Sequence, residues 1–598
     1  MGEGSLPGLM AVHPIQATGL WLRWLGAVLV VVWLPGHLLV GRWLRGLDWV
    51  SRQALSLSAG LLLIALVSAL YPLAGLPLRP VFTVLPILLL AWGLSRWAGH
   101  RRAVAAWSDG LSALTSAQQG ALVLCSVFVM ACLLVGFADF CAPPHVHDAS
   151  NHAFMVLRIA QTGSSDPRVV FTPEIGRPDV LYLMGWQTTA ALTSQVSGVA
   201  PYISCWYFPL LALALLPVTL TVLWRALGLP VLAVLFGALI VATNDSMPSS
   251  ILGWGGFGQI IGMFLVPNVM LALRAALRDR GVYGGALAGA WMASLLQIHT
   301  SQVFVAMLLA VVSLLGQERQ CKMTWSALGR ASLAILVAFV AVAAPMGLKL
   351  AYGYAHKIAA LSLPELMTPC AALRWLYTSG GEASARHWLV MLGGLSAVDR
   401  RFRRTAMLAW VLAALFFAFV VVGDPLSTFL ATPFYREWPR LRYLLIFAVP
   451  PLMAFPIQRL VELQVRRGWR FVLTLAIAAG SFLLLSPHLR AQTGMFRSYR
   501  ALSPFTAEDY ALARDLPRVV AADEVVGNFF DDGSAWAMHV SGRQFFLPCA
   551  WRLSTPAGVA LLDIAADLRT QPWPAATRAL EAAGVRYLYA SDHRWPSQ

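Results

Sequence analysis

The sequence predicts an all-α polytopic membrane protein with a small α/β domain at its C-terminal end. Of the 598 residues, 58% are hydrophobic and 12% are charged, about half the charged share of a soluble domain. Long stretches lack Asp, Glu, Lys and Arg altogether. Beyond residue 490 charged residues return, and 491–598 hold 11 acidic and 10 basic side chains. This composition excludes a water-soluble enzyme and a disordered chain.

The membrane body comprises residues 1–490. A helix needs about 20 apolar residues to cross a bilayer, and the charge-free stretches therefore predict roughly 14 transmembrane helices. The stretch 281–317 is too long for one helix, and the polar residues Gln297-Ile298-His299-Thr300 predict a turn within it. The charge-free stretches are 24–41, 53–78, 80–95, 110–138, 180–224, 226–244, 246–273, 281–317, 331–348, 387–398, 405–423, 443–458 and 471–489.

The basic residues predict the orientation of this body. The net charge is +16, and 41 of the 44 basic residues are Arg, grouped in every second loop. By the positive-inside rule these loops are cytoplasmic, and the Arg groups contact anionic lipid rather than nucleic acid. The long loop 139–202 and the tail 491–598 are then extracytoplasmic. The groups include Arg42 and Arg45, Arg96 and Arg101, Arg225, Arg274 and Arg278, Arg400 to Arg404, and Arg466 and Arg467.

The tail 491–598 has the pattern of a soluble α/β domain. Turn pairs such as Asp532-Gly533 and Ser541-Gly542 separate short apolar runs at 519–526 and 543–547. A helix-like stretch at 575–583 precedes a strand-like stretch at 585–590. Short apolar runs between turn residues are typical of buried strands.

The loop 139–202 carries the strongest chemical motif. Asp139, His145, His147, Asp148 and His152 lie within 14 residues. Asp148 and His152 share a face if a helix begins near Asp148. The simplest interpretation is that Asp148 caps this helix and that the histidines are solvated.

Two chemical interpretations of this motif remain open beside the cap. Asp148 in a partly desolvated pocket suits a general base. His145, His147, Asp148 and His152 are also nitrogen and oxygen donors at a spacing compatible with a metal site.

The second half of the loop predicts a helix on the lipid surface. The segment 182–196 is amphipathic and contains Trp186, Gln187, Thr188 and Thr189. An amphipathic helix of this kind lies in the interface rather than across the bilayer. The loop 139–202 is therefore expected to form a folded lid over the membrane.

A glycine-rich segment, Gly253-Trp254-Gly255-Gly256-Phe257-Gly258-Gln259, precedes an apolar span. Its glycines allow close approach of a ligand, with Trp254 as a contact, or of another helix. No strand precedes it, so it is not a dinucleotide-binding loop. His299 is a further polar residue within an apolar stretch, which marks it as either a functional or a solvated histidine.

Several cationic residues are predicted at the extracytoplasmic ends of helices, where the positive-inside rule does not account for them. Such cations suit a lipid phosphate, which Arg binds through two nitrogens and Lys as a point charge. The simpler interpretation is that each side chain reaches for ordinary phospholipid. These cations are Lys349, Lys357, Arg436, Arg440 and Arg442.

Three features together resemble the GT-C superfamily of membrane glycosyltransferases. One is the acidic loop motif Val146-His147-Asp148-Ala149, which leads to His152 and Gln161-Thr162-Gly163. Another is the polytopic body with a C-terminal outer domain. The third is the pair of motifs 255–259 and 298–300. The acidic loop follows about four predicted spans rather than the first, which resembles the bacterial branch with extra N-terminal helices, including arabinofuranosyltransferase-like proteins.

This resemblance implies a function. The enzyme would move a hexosyl or pentosyl group from a polyprenyl-phosphate donor to an envelope glycan, lipid or protein acceptor at the outer face of a bacterial inner membrane. Asp148 would act as base with inversion, and His147 or His152 would orient it or contact phosphate. Trp254 and His299 would contribute to substrate binding, and the outer cations would stabilise the leaving phosphate. No cofactor is required, although a divalent cation is compatible.

Two alternatives belong to other classes. A transporter or flippase of a lipid-linked or anionic solute also fits a polytopic body, but such proteins often show internal repeats and charged, broken helices near the midplane. The sequence shows neither clearly. A metal-dependent membrane transferase or hydrolase would instead use the histidine-rich loop.

Overall fold

The computed structural model describes a predominantly helical chain. The described residues are 14–100, 111, 113–137, 147–171, 183–243, 249–253, 255–279, 282–314, 329–344, 368–371, 395–422, 443–462, 493–497, 505–528, 534–546, 578, 581 and 585–589.

In the first half of the chain the helices are α1 (Pro14–Val28), α2 (Leu34–Val40), α3 (Trp49–Leu70), α4 (Pro80–His100), α5 (Ser116–Phe137), α6 (His147–Thr162), α7 (Pro167–Val170), α8 (Gly185–Ser197), α9 (Pro201–Ala226), α10 (Val231–Ala242), α11 (Ser250–Gly253), α12 (Phe257–Asp279), α13 (Val282–Leu296) and α14 (Thr300–Leu314). A π-helical turn, Leu29–Trp33, continues α1 into α2. The second half contains α15 (Gly329–Ala344), α16 (Arg403–Phe417), α17 (Val449–Leu452), α18 (Phe455–Glu462), α19 (Ala507–Val519), β1 (Val525–Asn528), α20 (Ser534–Ser541), β2 (Gln544–Phe545) and β3 (Val585–Tyr589).

The chain is a multi-pass membrane protein. Within the described ranges, six helical segments are long and apolar enough to cross a membrane: Thr18–Val40, Trp49–Ala74, Ser116–Leu134, Pro201–Ala226, Phe257–Leu277 and Arg403–Val421. The predicted number of 14 is not confirmed. Several predicted spans, including 471–489, lie outside the described residues. Shorter apolar helices include Pro80–Arg96 and Val231–Ala242.

Helix α9 lies at the centre of the bundle. It packs against α5, α6, α8, α10 and α12, and nearly all of its side chains are buried. The indole of Trp24 donates a hydrogen bond to Ser204 Oγ at 3.1 Å and so ties α1 to α9. Near the other end, the indole of Trp224 donates to the carbonyl of Phe447 at 2.8 Å. Burial of large aromatic groups around α9 supplies much of the driving force for packing.

The two ends of the bundle differ in chemistry. At the C-terminal end of α9, Arg225 forms a buried ion pair with Asp48 at 2.7 Å, and Arg274 donates to the carbonyl of Ala226. These arginines belong to the groups that the sequence predicts to be cytoplasmic. The N-terminal end of α9 lies about 39 Å away along the helix, where the hydroxyl of Ser204 donates to the carbonyl of Ala190 in α8 at 2.8 Å and Trp206 packs against Phe257 in α12.

Helix α8 corrects the expectation of a lipid-surface helix at 182–196. Residues 185–194 are all buried within the protein, and α8 packs against α1, α3, α6 and α9. The hydroxyls of Thr188 and Thr189 donate to the carbonyls of Met184 and Gly185. Because these polar groups are satisfied within their own helix, burying them carries little penalty.

The predicted turn within 281–317 is confirmed. Helix α13 ends at Leu296 and α14 begins at Thr300, so the intervening residues 297–299 form the connection. Polar side chains favour such a break because they compete with the helical backbone for hydrogen bonds.

The C-terminal segment contains a small parallel sheet with strand order β2-β1-β3. The strand expected at 585–590 is observed as β3. Helix α19 begins with a capping box between Thr506 and Asp509. The hydroxyl of Tyr589 donates to the Asp509 backbone at 3.1 Å, which fastens β3 to α19. The helix expected at 575–583 lies largely outside the described residues.

Candidate functional site

Helix α6 begins at the acidic motif, as the sequence predicts. It starts at His147, and Asp148 lies in its first turn. His152 follows four residues later on the same face. Asp148 is half-buried, whereas Ala149 and Ser150 are fully buried. A carboxylate in the first turn interacts favourably with the partial positive charge of the helix N-terminus.

Gly255 lies directly against this first turn. Its φ is +80°, a left-handed conformation that favours glycine. A Cβ added to Gly255 would lie 2.9 Å from the backbone nitrogen of Ala149 and 2.9 Å from Cβ of Asp148. No side chain fits into that space. The acidic motif and the glycine-rich segment, far apart in sequence, therefore form one site.

His152 holds the two motifs together. It is 3% exposed, and its Nδ1 lies 3.1 Å from Nε2 of Gln187. The ring also hydrogen-bonds to the backbone of Gly255. The ring packs edge-to-face with Trp186 and tilted against Phe257, with ring centroids 4.9 and 5.7 Å away. His152 therefore connects α6, α8 and the start of α12.

The environment of His152 determines its charge. Burial lowers the pKa of His152 to about 3, against the opposing effect of the hydrogen bond to Gly255. The ring is neutral at physiological pH, because a desolvated imidazolium is unfavourable. A neutral, enclosed imidazole suits orientation of α6 better than contact with a phosphate. Of the two roles suggested by the sequence, the geometry favours the first.

The start of α8 meets the turn at 297–299. The backbone N–H of Gly185 donates to the carbonyl of Gln297 at 3.1 Å. Gly258, in the first turn of α12, faces both elements. A Cβ added there would lie 3.1 Å from the Ile298 carbonyl oxygen and 3.3 Å from Nε1 of Trp186. The turn that contains His299 thus belongs to the same site as Asp148.

His299 is half-buried. Its Nδ1 lies 2.8 Å from the hydroxyl of Ser301. Its ring faces the start of α12, because its Cδ2 lies 3.7 Å from the position of a Cβ on Gly258. The glycine-rich segment therefore contacts the acidic motif at Gly255 and the His299 turn at Gly258.

The C-terminal segment packs at the same end of the bundle. Helix α20 contacts α6, and the ring of His539 lies 6.1 Å from Tyr202, in the first turn of α9, and 5.6 Å from Trp536. Burial lowers the pKa of His539 to about 3. The site thus lies between the membrane body and the C-terminal segment, opposite the ion pair of Arg225.

Several predicted site residues lie outside the described part of the chain. These are His145, Trp254, Lys349, Lys357, Arg436, Arg440 and Arg442. His147 is the first residue of α6. Among the described residues there is no group of three or more His, Cys, Asp or Glu side chains that could hold a metal ion. The four-residue metal set cannot be assembled from that part of the chain because His145 lies outside it.

Sequence reasoning did not single out three glutamines at this site. Gln187, Gln259 and Gln302 are the third residues of α8, α12 and α14, and all three are buried. Gln259 and Gln302 each lie three residues after the residue that precedes their helix, Gly256 and His299 respectively, and Gln187 lies three residues after Met184. Only the tertiary structure shows that the three helix starts are neighbours.

One family model and several solved structures of low sequence identity match this chain. A model of the family described as "Family of unknown function (DUF6541)" matches residues 29–598. No curated protein matches the chain.

Among solved structures, the chain is similar to the archaeal oligosaccharyltransferase AglB from Archaeoglobus fulgidus in complex with an inhibitory peptide and a dolichol-phosphate. The identity is 12%, the match covers 79% of this chain and 69% of that one, and the TM-score is 0.45. The apo form of the Archaeoglobus fulgidus oligosaccharyltransferase matches at 11% identity over 79% and 69% of the two chains, with a TM-score of 0.46.

Proposed function

Because this chain belongs to the DUF6541 family, whose function is unknown, we propose its function from the site itself: a membrane glycosyltransferase of the GT-C type with Asp148 as general base. The observation that most strongly supports this proposal is the contact of Gly255 with the first turn of α6. Together with the His299 turn at Gly258, it joins the three segments whose motifs resemble this superfamily.

The proposed reaction is an inverting transfer. Asp148 removes the proton from an acceptor hydroxyl, and the resulting oxygen attacks the anomeric carbon of the donor sugar. The bond from that carbon to the phosphate oxygen breaks, and the lipid phosphate departs with the bonding electrons. The proton remains on Asp148 until it exchanges with solvent. A half-buried carboxylate suits this role, since it is positioned by the helix that carries it and can accept a proton from a bound hydroxyl.

His152 is a positioning residue in this scheme. It lies one turn below Asp148 on α6 and hydrogen-bonds to both Gln187 and the Gly255 backbone. These bonds fix the rotation of α6 against the start of α12. The carboxylate of Asp148 is thereby held at one place relative to the glycine-rich segment, as a general base requires.

The donor is proposed to be a polyprenyl-phosphate sugar, hexose or pentose, and the acceptor an envelope glycan, lipid or protein. The leaving phosphate acquires charge as its bond to the sugar breaks. Lys349, Lys357, Arg436, Arg440 and Arg442 are proposed to stabilise that charge from the outer membrane surface. His147, Trp254 and His299 are proposed substrate contacts. This chemistry is compatible with, but does not require, a divalent cation.

The site is proposed to face the extracytoplasmic side of a bacterial inner membrane. It lies at the opposite end of α9 from Arg225 and Arg274, which the positive-inside rule assigns to the cytoplasmic side. The same end carries the contact between α20 and α6. The proposed domains are thus a membrane body, 1–490, and an outer domain, 491–598.

The test is sugar transfer by membranes that contain single variants. Membranes of a deletion strain carrying wild-type protein, Asp148→Asn or Asp166→Asn would be incubated with labelled polyprenyl-phosphate hexoses and pentoses. Loss of the base should lower transfer by about 10²- to 10⁴-fold. Asp166 belongs to the same loop but caps the short helix α7. Asn serves equally well as a cap, so Asp166→Asn should retain activity.

Equal transfer by Asp148→Asn and wild type, at equal protein levels, would remove Asp148 from the reaction. The base would then have to be Asp139 or Asp179 of the same loop. Absence of transfer by wild-type membranes from every donor, with donor exchange across the bilayer instead, would favour the transporter alternative.

A further inference from the structure

Four helices begin at the site. They are α6, α8, α12 and α14, and each has at least 13 residues. Gly255 and Gly258 bring the start of α12 against the other three, because a Cβ on either glycine would lie within 3.3 Å of α6, Trp186 or Ile298. Each helix start carries a partial positive charge. The Asp148 carboxylate lies at the start of α6, so the positive region is formed mainly by the starts of α8, α12 and α14.

Three of these helices carry a buried glutamine at the third position. Gln187 and Gln302 are 0% exposed, and Gln259 is 1% exposed. Within the described structure, both polar side-chain atoms of Gln259 and of Gln302 lack a hydrogen-bond partner, as does Oε1 of Gln187. An unpartnered buried amide is costly, and native proteins contain few of them.

The geometry of a helix directs these amides toward the site. Cα–Cβ bonds tilt toward the helix N-terminus, so a side chain at the third position leans toward the helix start. A glutamine there commonly bonds back to the backbone of its own cap, yet Gln259 and Gln302 make no such bond. The Gln302 side chain lies over Gly262, since a Cβ there would be 2.6 Å from its Cγ. Gly262 is one turn from Gln259.

We propose that Gln187, Gln259 and Gln302, together with the four helix starts, bind a phosphate group that carries hydroxylated sugar. The amide nitrogens of Gln259 and Gln302 donate to phosphate oxygens, and the three amide oxygens accept from sugar hydroxyls. Nε2 of Gln187 already faces His152 at 3.1 Å, which leaves its Oε1 for the ligand. Helix N-termini favour such an anion without a cationic side chain.

This inference deepens the proposed function and rests on it, because it assigns residues that bind the donor head group. It also provides partners for five amide atoms that have none within the described structure. Replacing such an amide by an apolar side chain of similar shape can be neutral or stabilising when no ligand is involved. Stability and ligand response therefore separate a binding role from a merely structural one.

The experiment measures ligand binding to the purified full-length protein in detergent. The unfolding midpoint is followed as polyprenyl phosphate, the matching polyprenol, or inorganic phosphate is added, which gives an apparent Kd for each. The variants are Gln259→Leu and Gln302→Leu, and either one suffices if the other does not fold. The control is Gln195→Leu. The Oε1 atom of Gln195 is also buried without a partner, but Gln195 lies about 12 Å along α8 from Gln187.

The expected result is that wild type and Gln195→Leu bind polyprenyl phosphate more tightly than polyprenol, and that each site variant binds polyprenyl phosphate at least tenfold more weakly. Competition by inorganic phosphate would identify the phosphate itself as the recognised group. Absence of competition would show that the phosphate is recognised only together with its polyprenyl chain. Both outcomes support the proposal.

A wild-type response to polyprenyl phosphate in both site variants would overturn the proposal and assign the amides to internal water. The transferase would not fall with it, because transfer is measured separately. Conversely, weakened binding in these variants, in a protein that transfers no sugar, would retain the phosphate site and reject the proposed reaction.

Discussion

Gly255 and Asp148 are in direct contact. Because Gly255 has no side chain, its backbone lies directly against the first turn of α6. A Cβ at this position would lie 2.9 Å from Cβ of Asp148. The position of the proposed base is therefore set by a residue without a side chain. The proposed role of Asp148 as general base depends on this contact between Gly255 and α6.

Replacing Gly255 by Ala tests that dependence. The added methyl group must displace α6, because its neighbours include backbone that cannot rotate away. We expect transfer to fall about 100-fold, as small displacements of catalytic groups do. Gly198→Ala is the matched control. Its φ is +67°, but nothing lies within 4 Å of its Cβ position, so Gly198→Ala should cost only about 1 kcal/mol of stability.

Transfer rates and unfolding midpoints of both variants decide the question. Equal losses of activity in Gly255→Ala and Gly198→Ala would mean that backbone strain, not the contact with α6, explains the effect. Full activity in Gly255→Ala would show that α6 has no fixed position relative to the glycine-rich segment.

His539 predicts a dependence of stability on pH. Its pKa is lowered to about 3 in the folded protein by burial, whereas in the unfolded chain it is near 6.5. Between these values the unfolded state binds more protons, so stability is fully present above pH 6.5 and declines as pH falls. At about pH 5 the loss from this residue is about 2 kcal/mol. His539→Phe should reduce the decline of the unfolding midpoint between about pH 7.5 and about pH 5.

Trp536→Phe provides the comparison, because Trp536 packs beside His539 but does not titrate. It should lower the midpoint similarly at both pH values. An unchanged pH dependence in His539→Phe would mean that His539 is hydrated in the folded protein.

The ion pair of Arg225 and Asp48 predicts a large, asymmetric effect on stability. Both side chains are buried, and their N–O distance is 2.7 Å. Arg225→Met should cost about 3–5 kcal/mol, because the Asp48 carboxylate is left buried without its charge partner. The double variant Asp48→Asn with Arg225→Met should recover much of this, since Asn retains the cap on α3.

An exposed pair supplies the control for this measurement. Arg518 and Asp515 are 3.0 Å apart at the surface, and Arg518→Gln should cost less than about 1 kcal/mol. If Arg225→Met costs no more than Arg518→Gln in denaturant titrations, water or lipid head groups must reach Asp48.

Cysteine labelling tests the orientation of the bundle. Val169 is 42% exposed and Val398 is 81% exposed, and the sequence assigns them to opposite sides. In a background in which Cys141, Cys321, Cys370 and Cys549 are replaced by Ser, a membrane-impermeant reagent should label Val169→Cys in intact cells. Val398→Cys should be labelled only after permeabilisation. The reverse pattern would place Asp148 in the cytoplasm and contradict the proposed donor.

The sequence predicts local features of this protein well. The start of α6 at Asp148 follows from an acidic residue ahead of an apolar periodic stretch. The break between α13 and α14 follows from the polar residues at 297–299. The start of α6 and the break between α13 and α14 both depend on residues within one helical turn, and such residues are close together in the sequence.

The position of α8 could not be predicted, because its pattern of small and polar residues is the same for a lipid-surface helix and for a buried one. The decisive fact is that Thr188 and Thr189 bond to their own helix. The proximity of the helix starts that carry Gln187, Gln259 and Gln302 was equally hidden, since each glutamine alone is an ordinary first-turn residue. Convergence of distant helix starts is a property of tertiary packing.

The proposal that this protein is a glycosyltransferase with Asp148 as base is tested most directly by the mass-spectrometric glycan profile of the cell envelope in three strains. These are wild type, a deletion of this protein, and the deletion carrying Asp148→Asn. We expect one sugar to be lost from the profile in both mutant strains, with Asp148→Asn protein present in the membrane at wild-type level. An unchanged profile in the deletion strain would contradict the glycosyltransferase function, and a profile restored by Asp148→Asn would contradict the assigned base.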